Sequence, residues 1–267
     1  MSEIRLVVFD WAGTTVDHGC FAPVASFVEA FRTHGVEVSP AEARGPMGLH
    51  KKDHIRELLR MPGVGQRWRT AHGSNWTEGD VEAIFQTFIP LQMNVIERYS
   101  DLVPGLLTTV AELKRRGIKM GGTTGYFRAS AEAVAIAARR QGYAPDVTMC
   151  PDDVPTGRPA PWMIYHIMQE TGIYPPSAVL KIGDTVPDID EGRNAGCWSV
   201  GVTRTGSEVG LTEREWDALD RAERRTKTEP AATKLKAAGA HAVIPSVAEL
   251  PDLMDEINSL MRRGERP

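Results

Sequence analysis

Residues 4–10, IRLVVFD, run directly into WAGTTVD at 11–17. An unbroken β-branched and aromatic run that ends in an aspartate is the pattern of a strand buried on both faces, as in a parallel sheet. After Gly13-Thr14-Thr15 the period changes. Val24, Phe27, Val28 and Phe31 recur at i, i+3, i+4 and i+7, one face of a helix. Ser39-Pro40-Ala41-Glu42 forms a capping box with proline at the first helical position, and Thr77 to Asp80 starts another helix, carrying Val81, Ile84, Phe85 and Phe88. From about 20 to 99 every pattern is helical.

Strand signals return at 119–124, 146–149, 179–182, 199–203 and 242–244. Between them lie helical stretches: one carrying Leu106, Val110 and Leu113, others at 129–141 and 162–171, and a last stripe of Leu250, Leu253, Met254, Ile257, Leu260 and Met261. Strands alternating with helices predict an α/β fold, a doubly wound parallel-sheet, Rossmann-like core with helices on both faces. The helical block interrupts that alternation after the first strand. It reads as an inserted all-helical cap domain at 20–99, with the core formed by 1–19 and 100–267. The charge-rich stretch 204–236 reads as a solvated helix pair.

The 267 residues are 42% hydrophobic and 25% charged, with a net charge of −4. That is ordinary globular composition, which argues against disordered and membrane classes. No basic field is available to hold a nucleic-acid backbone, so no nucleic-acid partner is expected. The N-terminal apolar run, Leu6 to Phe9, is far short of the roughly 20 residues that a spanning helix needs. It is also too acidic in context for a secretory signal. Cys20, Cys150 and Cys197 are odd in number, widely spaced and without a CxxC pair. A soluble cytoplasmic protein with no membrane partner, no disulfide framework and no structural zinc is expected.

Ligands of open α/β sheets bind beyond the carboxyl ends of the strands. Asp10, Thr123-Thr124 and Asp184 occupy those ends, and Gly157-Arg158-Pro159 follows a later strand in a loop. An aspartate at a strand end is by itself an ordinary turn or cap residue. An acid, a hydroxyl, a cation and a second acid in this order say more.

These residues carry a family resemblance. DWAGTTVD (10–17), Thr124, GRPAPW (157–162) and KIGDTVPDIDEGRNAG (181–196) resemble the four motifs of the haloacid dehalogenase superfamily of phosphotransferases, and the helical insertion resembles their cap. The runs FDWAGTTVDHGCFAP (9–23), GPMGLHKKDH (45–54), GGTTGY (121–126) and DDVPTGRPAPWMIY (152–165) cross both core and cap. They resemble the phosphonatase family, the phosphonoacetaldehyde hydrolases. The resemblance implies hydrolysis of a C–P bond to acetaldehyde and phosphate in the breakdown of 2-aminoethylphosphonate, by a Mg²⁺-dependent homodimer joined through cap helices.

By the same resemblance Asp10 is the nucleophile and becomes an aspartyl-phosphate. Oxygen ligands suit Mg²⁺, and those implied are the Asp10 carboxylate, the backbone carbonyl of Ala12, and Asp184. Asp188 would hold a metal-bound water or orient the site. Thr124 and Arg158 would bind phosphoryl oxygens, with Gly13-Thr14-Thr15 adding backbone N–H donors. Met47 and Gly48 would shape the loop that brings Lys51 over the core, and Tyr126, Cys20 and His54 would lie near the substrate.

Two departures from a generic phosphatase of the superfamily decide the reading. Ala12 stands where those enzymes carry the acid that protonates a departing alcohol, and alanine has no proton to give. Lys51 supplies what C–P cleavage needs, because an imine on the aldehyde turns a poor carbanion leaving group into an enamine. Lys51, His54, Ile55, Leu58 and Leu59 share one helical face, and an apolar stripe strips hydration from a lysine and lowers its pKa. Lys52 is adjacent, and composition does not choose between the two. Spacing to His54, placed at i+3 to shuttle protons, selects Lys51. The alternative is a P–O phosphatase or phosphomutase of the same superfamily.

Overall fold

The computed structural model describes residues 3–267. Among them six strands form one sheet: β1 (Leu6–Phe9), β2 (Lys119–Thr123), β3 (Val147–Met149), β4 (Val179–Gly183), β5 (Trp198–Val202) and β6 (Ala242–Ile244). Every pairing is parallel, in the order β3-β2-β1-β4-β5-β6. β1 is wholly buried, and its side chains leave alternately: Val7 and Phe9 join the larger apolar cluster on one face, Leu6 and Val8 a second cluster on the other. Both faces are covered, which is why the strand reads as a continuous apolar run.

The helices of this core are α6 (Leu106–Arg115), α7 (Arg128–Arg140), α8 (Trp162–Thr171), α9 (Val186–Asn194), α10 (Glu213–Ala218), α11 (Arg221–Ala237) and α12 (Leu250–Arg262). Between β1 and β2 the chain instead builds α1 (Phe21–Thr33), α2 (Pro40–Arg44), α3 (Lys51–Arg60), α4 (Pro62–His72) and α5 (Glu78–Val95). Both helix starts expected there are formed, and both are capping boxes, Ser39 with Glu42 and Thr77 with Asp80. This insert packs around its own cluster, in which Phe27 stacks on His54 at 3.8 Å and on Phe88 at 4.4 Å between ring centroids. Ile96, just past α5, already belongs to the core cluster.

Strand ends differ from the sequence reading by one or two residues. Asp146, expected inside a strand, precedes β3 and uses its carboxylate to accept from the Met120 backbone N–H at 2.8 Å. The expected solvated helix pair exists as α10 and α11, but the stretch 204–212 does not belong to it. Thr205 and Ser207 are buried there, and Trp216 of α10 is buried between the guanidinium groups of Arg204 and Arg224. The polar side chains that looked like a solvated face are turned inward, toward the end of the sheet. No helix among the described residues is long and apolar enough to cross a membrane.

Register places the site. Phe9 lies between Gly122 and Ile182, so β1 delivers Asp10 between the ends of β2 and β4, where the strand order reverses direction.

Candidate active site

A small cavity of about 20 Å³, room for a water or two, lies between the sheet end and the insert. The core contributes Asp10, Ala12, Thr124, Gly125, Tyr126, Arg158 and Thr185 to its wall. The insert and the turn leading into it contribute Cys20, Pro23, Met47, Gly48 and Lys51. Of the expected site residues, Asp184, Asp188 and His54 stand behind this wall.

On the core side, the carboxylates of Asp10, Asp184 and Asp188 are buried and offer oxygens within 4.8 Å of one another. Thr14 Oγ1 donates to Asp184 Oδ1 at 3.2 Å, and the Ser207 N–H to Asp184 Oδ2 at 2.8 Å. A Cβ on Gly13, whose φ is +87°, would fall 2.7 Å from Asp184 Oδ2. The loop after Ala12 can approach that carboxylate only as glycine. Burial, with Asp188 beside it, raises the pKa of Asp10; burial and the charges of Asp10 and Asp188 push Asp184 well up.

Arg158 enters this group from its loop, 3% exposed. Its Nη2 donates to Asp10 Oδ1 at 2.8 Å and to Thr123 Oγ1 at 2.7 Å, and its Nη1 pairs with Asp188 Oδ1 at 2.9 Å. Its Nε donates to Glu191 Oε2 at 3.0 Å. A second buried cation, Lys181, pairs with Asp188 at 2.8 Å. Asp188 is therefore taken up by Arg158 and Lys181 on one oxygen and by the Thr185 hydroxyl, at 2.5 Å, on the other. With all four buried carboxylates (Asp10, Asp184, Asp188 and Glu191) ionised, the two cations would leave two negative charges. One divalent cation would neutralise them, and an all-oxygen donor set suits a hard ion. Thr124 Oγ1 accepts from the Tyr126 N–H at 3.1 Å, which leaves its own proton available for donation.

The insert side is built differently. The buried face of α3 is Lys51, His54, Ile55, Leu58 and Leu59. Lys51 Nζ lies 4.9 Å from the ring centre of Tyr126 and 5.7 Å from that of Phe27. Burial lowers its pKa to about 8, partly offset by the neighbouring Cys20 thiol and Asp10 carboxylate. Lys52 turns outward to pair with Glu82 at 2.6 Å. His54 sits behind Lys51, Nε2 donating to the Ala43 carbonyl at 2.9 Å and Nδ1 without a partner among the described residues. Burial and the nearby Lys51 charge push its pKa well down, so the ring is neutral.

Insert and core meet through backbone. Gly48, at φ +95°, offers its carbonyl to Arg158 Nη1 at 3.5 Å. A Cβ on Gly125 would lie 2.5 Å from the Leu49 carbonyl oxygen, and one on Gly48 2.2 Å from Thr185 Oγ1. From α2, Arg44 Nη1 donates to the carbonyls of Gly19 at 2.6 Å and Ser207 at 3.0 Å. Ser207 is the residue whose N–H holds Asp184.

Three participants were missed in the sequence. Lys181 and Glu191 had a signal, a lysine in the middle of an apolar strand and an acid one turn beyond Asp188. Asp17 had none. It lies in the left-handed region at φ 54°, and its carboxylate accepts from the Phe21 and Ala22 N–H groups, both at 2.9 Å, starting α1. Next to it Cys20 is also left-handed, at φ 56°, and this strained turn sets the thiol against the cavity.

Comparison with known proteins agrees with this architecture. Residues 4–196 match the family model described as haloacid dehalogenase-like hydrolase, and 155–250 match a HAD-hydrolase-like model. A β-phosphoglucomutase structure from Clostridium difficile superposes with a TM-score of 0.69 at 16% identity, covering 97% of this chain and all of that one, a likeness of fold. The chain belongs to the haloacid dehalogenase-like hydrolases. Phosphonoacetaldehyde hydrolase of Syntrophobacter fumaroxidans is 45% identical over 264 residues, covering 99% of this chain and 95% of that protein. The Bacillus cereus enzyme of the same name is 45% identical over 255 residues, covering 96% and 97%. The crystal structure of a phosphonoacetaldehyde hydrolase-like protein from Oleispira antarctica gives a TM-score of 0.97 at 39% identity, covering 99% and 96%. Within that class, the chain's family is that of the phosphonoacetaldehyde hydrolases.

Proposed function

We propose that the protein hydrolyses the C–P bond of phosphonoacetaldehyde to acetaldehyde and phosphate, with Lys51 and Asp10 as its two covalent centres. The observation that carries this reading is that both side chains open onto one small cavity, one from the insert and one from the core. In this reading 20–99 acts as a cap over the core of 1–19 and 100–267, and it opens to admit a substrate larger than the cavity.

Lys51 Nζ attacks the aldehyde carbon, and water leaves to give a protonated imine. An Asp10 carboxylate oxygen attacks phosphorus; the P–C bond breaks, and its electron pair moves into the imine to form an enamine. Protonation at carbon and addition of water release acetaldehyde and restore the lysine. A second water cleaves the aspartyl-phosphate. The depressed pKa of Lys51 supports the first step, because only the free amine attacks. Arg158 and Thr124 neutralise and orient the phosphoryl group, and the Asp10–Arg158 contact is handed over to it. Asp10, Asp184 and the Ala12 carbonyl would hold Mg²⁺, with Asp188 orienting the group. When bound, the ion would offset carboxylate–phosphonate repulsion.

The rival P–O phosphatase needs an acid for its leaving group. Among the described residues lining the cavity Asp10 is the one carboxylate, and Ala12 stands opposite the need. A homodimer joined through cap helices rests on the family likeness, and sedimentation velocity tests it. A cytoplasmic location accords with three free cysteines. The deciding experiment is borohydride trapping with phosphonoacetaldehyde and Mg²⁺, followed by peptide mapping. A reduced two-carbon adduct on Lys51 with loss of activity is expected. Full activity without an adduct, together with brisk turnover of sugar phosphates, would transfer the case to the rival.

A further inference from the structure

Lys181 stands at the centre of β4, paired in register with Val8 and Ser199, and is fully buried. A lysine at such a place is costly unless every donor is matched. Its Nζ donates to Thr123 Oγ1 at 2.9 Å and pairs with Asp188 at 2.8 Å and Glu191 at 3.3 Å. Glu191, on α9 and also fully buried, gathers three donors on Oε2: Lys181, Arg158 Nε and the Thr123 hydroxyl at 3.0 Å. The next residue makes this possible. A Cβ on Gly192 would lie 2.8 Å from Lys181 Cβ and 2.3 Å from Ser199 Oγ, so a larger residue would hold α9 away from the strand.

Neither Lys181 nor Glu191 lines the cavity, so neither touches substrate. What they touch is Arg158 and the residues that Arg158 holds. The guanidinium is fixed at three corners: Nε by Glu191, Nη1 by Asp188, Nη2 by Asp10 and Thr123. Remove Glu191 and the Nε corner is free. Remove Lys181 and Glu191 and Asp188 both lose a counter-charge, while Thr123 loses a donor.

We propose that Lys181 and Glu191 are a pair of positioning residues, holding the Arg158 fork on Asp10 and setting the charge that a divalent cation meets at the aspartate cluster. The inference rests on the phosphoryl-transfer reading of Asp10 and Arg158. It separates two functions of one pair. Glu191 positions the arginine, and the balance of Lys181 against Glu191 sets the charge.

The test uses the full-length chain with Lys181→Met, Glu191→Gln and the double variant, and Asp10→Asn as control. Each is examined for kcat, KM for phosphonoacetaldehyde, Mg²⁺ affinity by calorimetry, and thermal midpoint. Both single variants are expected to lose about 10- to 100-fold in kcat, with KM moving much less. Mg²⁺ affinity should move in opposite directions, tighter in Lys181→Met and weaker in Glu191→Gln, because one change adds net negative charge and the other removes it. The double variant should return to within about twofold of wild-type affinity while its kcat stays as low as that of Glu191→Gln. A merely structural pair would lower the thermal midpoint and weaken Mg²⁺ binding in both singles alike, and that result overturns the proposal. So does unchanged kcat in both singles. Activity retained in Asp10→Asn would instead remove the phosphoryl-transfer reading itself.

Discussion

At the core rim Asp10 is surrounded by charge; in the insert Lys51 is surrounded by carbon. The rim sets Arg158 and Lys181 among four carboxylates, every one buried, with ion pairs of 2.8 to 3.3 Å. Lys51 lies against the faces of Phe27, from the insert, and Tyr126, from the core. In the proposed mechanism the two environments would prepare opposite kinds of nucleophile. A carboxylate attacks as an anion, so it needs cations nearby to stay ionised in a dry site. An amine attacks as a neutral group, so desolvation alone makes it usable. On that reading one fold would produce both by varying what lies within a few ångströms.

The sharpest way to break that comparison is to disable each side separately. Asp10→Asn and Lys51→Met should each reduce turnover by at least about 10⁴-fold, yet differ in what they trap. Asp10→Asn should still yield the borohydride adduct on Lys51, and Lys51→Met should yield none. An adduct lost in both would mean that the core charge is needed for the insert's chemistry, and the two regions would not be separable.

The join between the regions is the next target. Gly125→Ala puts a methyl group 2.5 Å from the Leu49 carbonyl without requiring a left-handed backbone. Holding the insert off the rim should cost about 10²-fold in kcat/KM, the scale of a 1 Å misplacement, with the thermal midpoint little changed. Wild-type kcat/KM in this variant would show that the insert does not need to seat as tightly as it does here.

The mildest test is pH. Lys51 titrates at about 8, lowered by burial and by Arg158 and raised by Cys20 and Asp10. The free amine is the deprotonated form, so in Asp10→Asn the trapping rate should climb about tenfold per pH unit and then level off. Because that variant removes a charge that raises the lysine pKa, the plateau should begin somewhat below pH 8. A rate still climbing at pH 10 would mean an ordinary solvated lysine, and the contrast with the rim would fail.

Much of this was legible in the chain. The all-apolar β1, the helix starts at Ser39 and Thr77, and the α3 stripe are local patterns, and local patterns survive folding when tertiary contacts agree with them. The choice of Lys51 over Lys52 followed from its spacing to His54 and its place on the apolar stripe, within a run that resembles the family, and Lys51 is buried while Lys52 pairs outward with Glu82. What was read wrongly is instructive. Residues 204–212 look like solvated polar chain, yet Thr205 donates to the Gly13 carbonyl at 2.6 Å and Ser207 holds Asp184. Their partners lie about 190 and 20 residues away in sequence, beyond any periodicity. His54, expected near the substrate, keeps its place on the α3 stripe, stacks on Phe27 and lies outside the cavity wall.

By itself the sequence determined the parallel sheet, the helical insertion after the first strand, and which residue types stand at the strand ends, because hydrophobic period and turn chemistry are written within a dozen residues. Only the tertiary structure decided that Lys181 and Glu191 join Arg158, that Asp188 is consumed by ion pairs, and that Gly125 lets the Leu49 carbonyl come close to the core. Those outcomes depend on charges and close approaches between segments far apart in the chain, where the energy of each group is set by its burial and its partners rather than by its neighbours in sequence.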